Sequence, residues 1–109
     1  MQTVTVSQAR NIPDDTLVIL TGNIIQSLGR EKFIFRDSTG DIEIDRNLWL
    51  LLNLSVNAND RVEIRGEIDI ENRVAEIDVK FFRKLIQIQK FLGAYNSLIF
   101  GKMFFITGN

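Results

Sequence analysis

A chain of 109 residues that is 45% apolar and 25% charged has room for one modest hydrophobic core and lies far from the composition of a disordered segment. Its net charge of −1 denies it the clustered positive charge from which nonspecific phosphate binding draws its free energy. Without Cys it has no disulfide, thiolate nucleophile or sulfur metal site. Without His it lacks the side chain that titrates near neutrality, which removes most hydrolase and metalloenzyme chemistry.

The opening MQTVTVSQAR carries neither a basic region ahead of an apolar stretch nor a cleavage pattern, so no signal peptide is visible. Val6 to Ile12 reads as a short helix with Ser7 as its N-cap, stopped by Pro13, Asp14 and Asp15. Thr16 to Ile25 is rich in β-branched residues and apolar on both faces, as a long central strand would be, with Gly22 as its bend or bulge. A turn over Ser27 to Arg30 leads into KFIFRD, where Phe33 and Phe35 share one face and Lys32, Ile34 and Arg36 the other.

Ser38, Thr39 and Gly40 turn the chain into DIEID, with Ile42 and Ile44 inward and Asp41, Glu43 and Asp45 outward. Arg46 to Leu54 loses the period of two and reads as a helical turn whose Trp49 and leucines plug the core. NDRVEIRGEID then alternates, placing Val62, Ile64 and Ile68 inward. ENRVAEIDVK closes the series with Ala75, Ile77 and Val79 inward and Glu76, Asp78 and Lys80 outward.

Five strands, a short N-terminal helix and a helical turn between the third and fourth strands predict an all-β, five-stranded OB-fold Greek-key barrel over residues 1–85. A β-sandwich is the structural alternative. Residues 86–109 form an apolar C-terminal extension. They contain no Asp or Glu, their only charges are Lys90 and Lys102, and glycines and polar residues interrupt them too often for a membrane span. An extra barrel element, an oligomer contact and a non-native extension all fit this segment.

An OB-fold binds through the outer face of its second and third strands, which here carries Lys32, Arg36, Asp41, Glu43 and Asp45 as candidate ligand-binding residues. Base stacking needs exposed aromatics on a basic groove, yet Phe33 and Phe35 are in phase with the core and one of the two strands is wholly acidic. The acidic ladder fits a cationic peptide, a polyamine or a polar glycan, or else a solvated lattice of cross-strand ion pairs. Its carboxylates are spaced for no more than weak hard-cation binding, so no metal site is expected. Glu43 with Glu63 or Glu76 offers only nominal acid and base pairs, and the sequence has no nucleophile elbow, P-loop or glycine-rich nucleotide fingerprint. Neither catalysis nor a cofactor is expected.

The ordered blocks TVSQA, PDDTLVILTGNI, KFIFRDSTGDIEID, Trp49, NDRVEIRGEID and EIDVK resemble the bacterial OB-fold family of YgiW- and YdeI-like periplasmic proteins. The resemblance covers about four fifths of the chain and implies a five-stranded barrel with an N-terminal helix. It also implies export to the periplasm, binding of a small molecule, peptide or protein without nucleic-acid affinity, and a part in tolerance of envelope stress. It implies no catalytic residue. The family pattern finishes near Leu85, which leaves the apolar extension outside it. The rival expectation is an assembly module that uses this extension for oligomer or partner contact.

Overall fold

A computed structural model describes residues 1–45 and 56–85. The expected helical turn over Arg46 to Leu54, with Trp49, and the extension 86–109 lie outside the described residues. The elements are β1 (Gln2–Thr3), α1 (Val6–Ala9), β2 (Leu17–Gly29), β3 (Lys32–Asp37), β4 (Gly40–Asp45), β5 (Arg61–Glu71) and β6 (Val74–Lys84). The sheet runs β1-β2-β3-β4-β6-β5, and β2 also pairs with β5, so β2 to β6 close into the five-stranded OB barrel. β1 is a short parallel addition alongside Val18 and Ile19.

Closure depends on the length of β2. Residues Leu17 to Asn23 pair with β5, and Asn23 onward pairs with β3, so Asn23 faces both Arg61 and Arg36. Gly22 is not a bulge, because the β2–β5 register passes through it without a shift; the irregularities fall at Ile24/Gln26 and Ser27/Gly29. Its requirement is close approach: a Cβ here would sit 2.3 Å from the Arg36 carbonyl oxygen and 2.8 Å from the Phe35 ring.

Alternation along the strands builds the core. Phe33, Phe35, Ile42, Ile44, Val62, Ile64, Ile68, Ile77 and Val79 are buried, as their phase predicts, Val18 and Leu20 join them from β2, and Ala75 is half-buried. β6 breaks the period beyond Val79. A register shift opposite Arg65/Gly66 leaves Lys80 and Phe81 both exposed and turns Phe82 into the core, which simple alternation did not anticipate.

The first hairpin turn lies later than the expected Ser27 to Arg30, and a second turn of the same kind joins β5 to β6. β2 continues through Gly29 and the chain reverses at Arg30 and Glu31 (φ 53° and 66°); β5 ends at Glu71 and reverses at Asn72 and Arg73 (φ 50° and 69°). Paired positive φ values match the right-handed twist of the flanking strands, and Arg-Glu carries none of the usual turn residues.

The helix is shorter than read and its cap is Thr5, not Ser7. The Thr5 hydroxyl accepts the Gln8 N–H at 3.1 Å, and the Gln8 side chain accepts the Thr5 N–H at 2.9 Å. Val6 and Ala9 are its buried residues, and beyond Ala9 the chain continues as a turn, with Asn11 N–H on the Gln8 carbonyl and Ile12 N–H on the Ala9 carbonyl, that packs Ile12 against the core.

Asp37 ties this helix to the barrel by accepting the Val6 N–H at 2.9 Å and the Thr39 N–H and hydroxyl at 2.8 and 2.6 Å. Burial pushes its carboxyl upward, but the hydrogen bonds from Thr39, Val6 and Gly40 outweigh that and hold it below its ordinary value. A carboxylate depressed on folding contributes stability above its unfolded pKa and loses it as pH falls through the folded value. Asp37→Asn is therefore expected to flatten the loss of stability in the range below about pH 4. At neutral pH it should cost about 1–2 kcal/mol through the weakened acceptor. Urea melts of both proteins between pH 2.5 and 7 measure the two effects, and parallel pH profiles would refute the assignment.

Candidate functional site

The β3–β4 hairpin brings all five predicted residues to one outer face, with Lys32 opposite Asp45, Ile34 opposite Glu43 and Arg36 opposite Asp41. Side chains two apart on a strand share a face, and the antiparallel register places the basic strand beside the acidic one. Arg36 grips Asp41 with two nitrogens, Nε to Oδ1 at 2.7 Å and Nη2 to Oδ2 at 3.0 Å. This pairing raises the guanidinium's pKa and holds the Asp41 carboxyl below its ordinary value.

Lys32 lies between two carboxylates, Glu76 Oε1 at 3.1 Å and Glu43 Oε2 at 3.2 Å. Hydrogen bonds to Glu76 and then Glu43 raise its pKa well above the ordinary lysine value. Glu76 arrives from β6, because β4 and β6 run parallel with Ile44 beside Ile77 and Asp45 beside Asp78. Asp45 has no ion pair among the described residues.

Of the two nominal acid and base pairs, only Glu43 and Glu76 share a neighbourhood, and they meet on a lysine. Glu63 stands elsewhere on β5. Arg83 at 3.2 Å and Arg65 at 3.0 Å hold its carboxyl low. Among the described residues no group of His, Cys, Asp and Glu is arranged to hold a metal ion.

Beside this face, at the barrel seam, the parallel β4–β6 ladder spans only two residue pairs. Ahead of it a cleft of about 370 Å³ opens between the start of β4 and the β5–β6 turn, with Arg10, Asp41, Glu43, Arg73, Val74 and Ala75 on its walls. Arg10 donates from Nη2 to the Asp41 carbonyl oxygen. Sequence reasoning missed Arg10, Arg73 and the part Glu76 plays. Arg10 follows a short helix and Arg73 sits in a turn, so neither belongs to the alternation that marks the face. Docking of the helix on the β3–β4 hairpin brings Arg10 beside it, and the parallel β4–β6 pairing brings Arg73.

Residues 1–84 match the family model described as Bacterial OB fold (BOF) protein. The chain belongs to this family. It is 38% identical over 81 residues to Protein YgiW of Escherichia coli K12, which covers 74% of this chain and 62% of that one. The chain thus spans less than two thirds of the length of this relative. It is 34% identical over 79 residues to the Calcium-regulated OB-fold protein CarO of Pseudomonas aeruginosa, covering 72% and 68%.

The solved structure of E. coli YgiW superposes with a TM-score of 0.73 at 37% identity, over 76% of this chain and 89% of that one. A Replication Protein A heterotrimer bound to single-stranded DNA gives 0.65 at 15% identity, over 87% and 89%, and that likeness extends to the fold alone. A bacterial OB-fold protein therefore presents a β3–β4 face lined with ion pairs, where Phe33 and Phe35 point away from solvent.

Proposed function

We propose that this bacterial OB-fold protein is a non-catalytic binding module of the periplasm. It engages a polar small molecule, peptide, glycan or protein segment on the Lys32, Arg36, Asp41, Glu43 and Asp45 face and contributes to tolerance of envelope stress. One observation carries the binding reading: the β3–β4 register gathers Lys32, Arg36, Asp41, Glu43 and Asp45 on one outer face, and the pairing there moves Lys32, Arg36 and Asp41 further from neutrality. General acid–base catalysis needs a group poised near working pH, whereas a recognition surface is served by charges that stay fixed. Periplasmic placement and the stress role rest on the family resemblance.

The test is a thermal-shift screen of the full chain against cationic peptides, polyamines, cell-wall fragments and single-stranded DNA. A ligand at a hundred times its Kd adds about 2.7 kcal/mol to folding stability and raises Tm accordingly. Glu43→Lys combined with Asp45→Lys is expected to weaken a cationic stabilising ligand at least about tenfold, since each reversal sets like charges across the interface. If the double reversal leaves binding of every stabilising ligand unchanged, the face is not the site. Salt-sensitive stabilisation by single-stranded DNA at physiological ionic strength would replace this reading with nucleic-acid binding.

A further inference from the structure

The Asp41, Glu43 and Asp45 ladder points by itself toward a cationic ligand, but the charges left uncommitted in the adjoining cleft have the opposite sign. Both Asp41 oxygens lie on Arg36, and Glu43 shares Lys32 with Glu76. Across the cleft Arg10 donates to the Asp41 carbonyl oxygen and helps to lower the Asp41 carboxyl at longer range without an ion pair to it, and Arg73 has no hydrogen bond or ion pair among the described residues. Two arginines with no ion pair among the described residues therefore line one cleft with Val74, which is 58% exposed, and Ala75.

We propose that this cleft is a subsite for a carboxylate monoanion on a small, partly apolar ligand. Arg10 and Arg73 hold the carboxylate, and Val74 and Ala75 receive the aliphatic part. The inference rests on the reading of the β3–β4 face as a ligand surface and names the group that the surface recognises first.

Four physical points favour this class of ligand. A guanidinium presents a planar fork of donors that matches a carboxylate, and such charge-assisted bonds are roughly twice as strong as neutral ones. The cleft, at about 370 Å³, falls within the size range of small-molecule sites. Asp41 and Glu43 on the same wall disfavour a dianion such as phosphate, while a single negative charge between two arginines is compensated. Arg73 is moreover held at φ 69° in a tight two-residue turn, so the anchor of its side chain is set by the hairpin.

The experiment is an amide NMR titration of the full chain with N-acetyl-alanyl-alanine, its C-terminal amide and inorganic phosphate. The free acid is expected to shift the amides of Asp41 to Glu43 and Arg73 to Ala75 saturably, and the amide to bind at least about tenfold more weakly. Arg73→Asn, which tolerates positive φ, should weaken the acid at least about tenfold with an unchanged melting temperature. Arg10→Gln should do the same, which guards against an effect peculiar to the turn.

Equal binding of acid and amide, an unaltered affinity in Arg73→Asn, or tighter binding of phosphate would overturn the subsite. If acid and amide bind equally while shifting Lys32 to Asp45, the subsite fails and the wider face survives. If neither probe shifts any amide on β3 or β4, the subsite fails, and the thermal-shift screen with the double charge reversal decides the wider face.

Discussion

Phe35→Ala is expected to remove about 3–5 kcal/mol of stability, the usual cost of deleting a fully buried aromatic ring. Phe35 is 0% exposed and pairs across the ladders with Ile24 on β2 and Ile42 on β4. It therefore sits where β3 joins its two neighbours, and its ring covers Gly22 from the inner side. A small domain is stable by only about 5–15 kcal/mol, so the variant should be close to unfolding at physiological temperature. At roughly 4–8 °C per kcal/mol, Tm should fall by at least about 12 °C. Urea denaturation of the two proteins measures the change directly. A loss under about 1 kcal/mol would mean that the barrel closes without support from this ring.

Gly22→Ala should also be severe, for a reason that the mildness of the substitution conceals. The new Cβ would meet the Arg36 carbonyl oxygen at 2.3 Å as well as the Phe35 ring at 2.8 Å. A ring can rotate or shift, but a carbonyl in the β2–β3 ladder moves only if the strands part. Overpacking of this kind costs about 1–3 kcal/mol where side chains can yield, and the upper end or beyond is expected because the obstacle is backbone.

The decisive control is Gly22→Ala combined with Phe35→Leu, which relieves the ring contact and leaves the carbonyl. The double variant should stay at least as unstable as Gly22→Ala. Recovery of wild-type Tm would show that the ring was the whole obstacle. Gly66 repeats the arrangement on β5, where a Cβ would stand 2.3 Å from the Asp78 carbonyl oxygen.

These positions also show what a linear reading can reach. Gly22 was recognisable as exceptional, because glycine interrupts a β-branched run, but its purpose was not. Bulge and close approach give the same sequence signal, and only the neighbouring strand distinguishes them. The Arg30–Glu31 turn was misplaced for a related reason. The hairpin selects positive φ through the twist of the paired strands, and pairing can overrule the reluctance of Arg and Glu to adopt it. Phe82 escaped the core inventory because one residue of bulge reverses the phase of everything after it.

The candidate face was legible as far as its members were concerned. Lys32, Arg36, Asp41, Glu43 and Asp45 follow from period-two alternation in two adjacent strands, and a short turn places those strands side by side. How its charges pair was not legible. Lys32 is shared between Glu43 and Glu76, and Glu76 is brought there by a parallel pairing distant in sequence, while Asp45 keeps no ion pair among the described residues.

Alternating polarity by itself determined the strands, the inward and outward residues and the membership of the face, because a strand's two-residue period is a local property of the backbone. Tertiary structure alone decided which charges are consumed in pairs, why Gly22 must lack a side chain, and that Arg10 and Arg73 flank one cleft. Each of these depends on contacts between elements, the β2–β3 ladder at Gly22, the β4–β6 seam at Glu76 and the docking of the helix on the β3–β4 hairpin at Arg10, none of which leaves a local signal in the sequence.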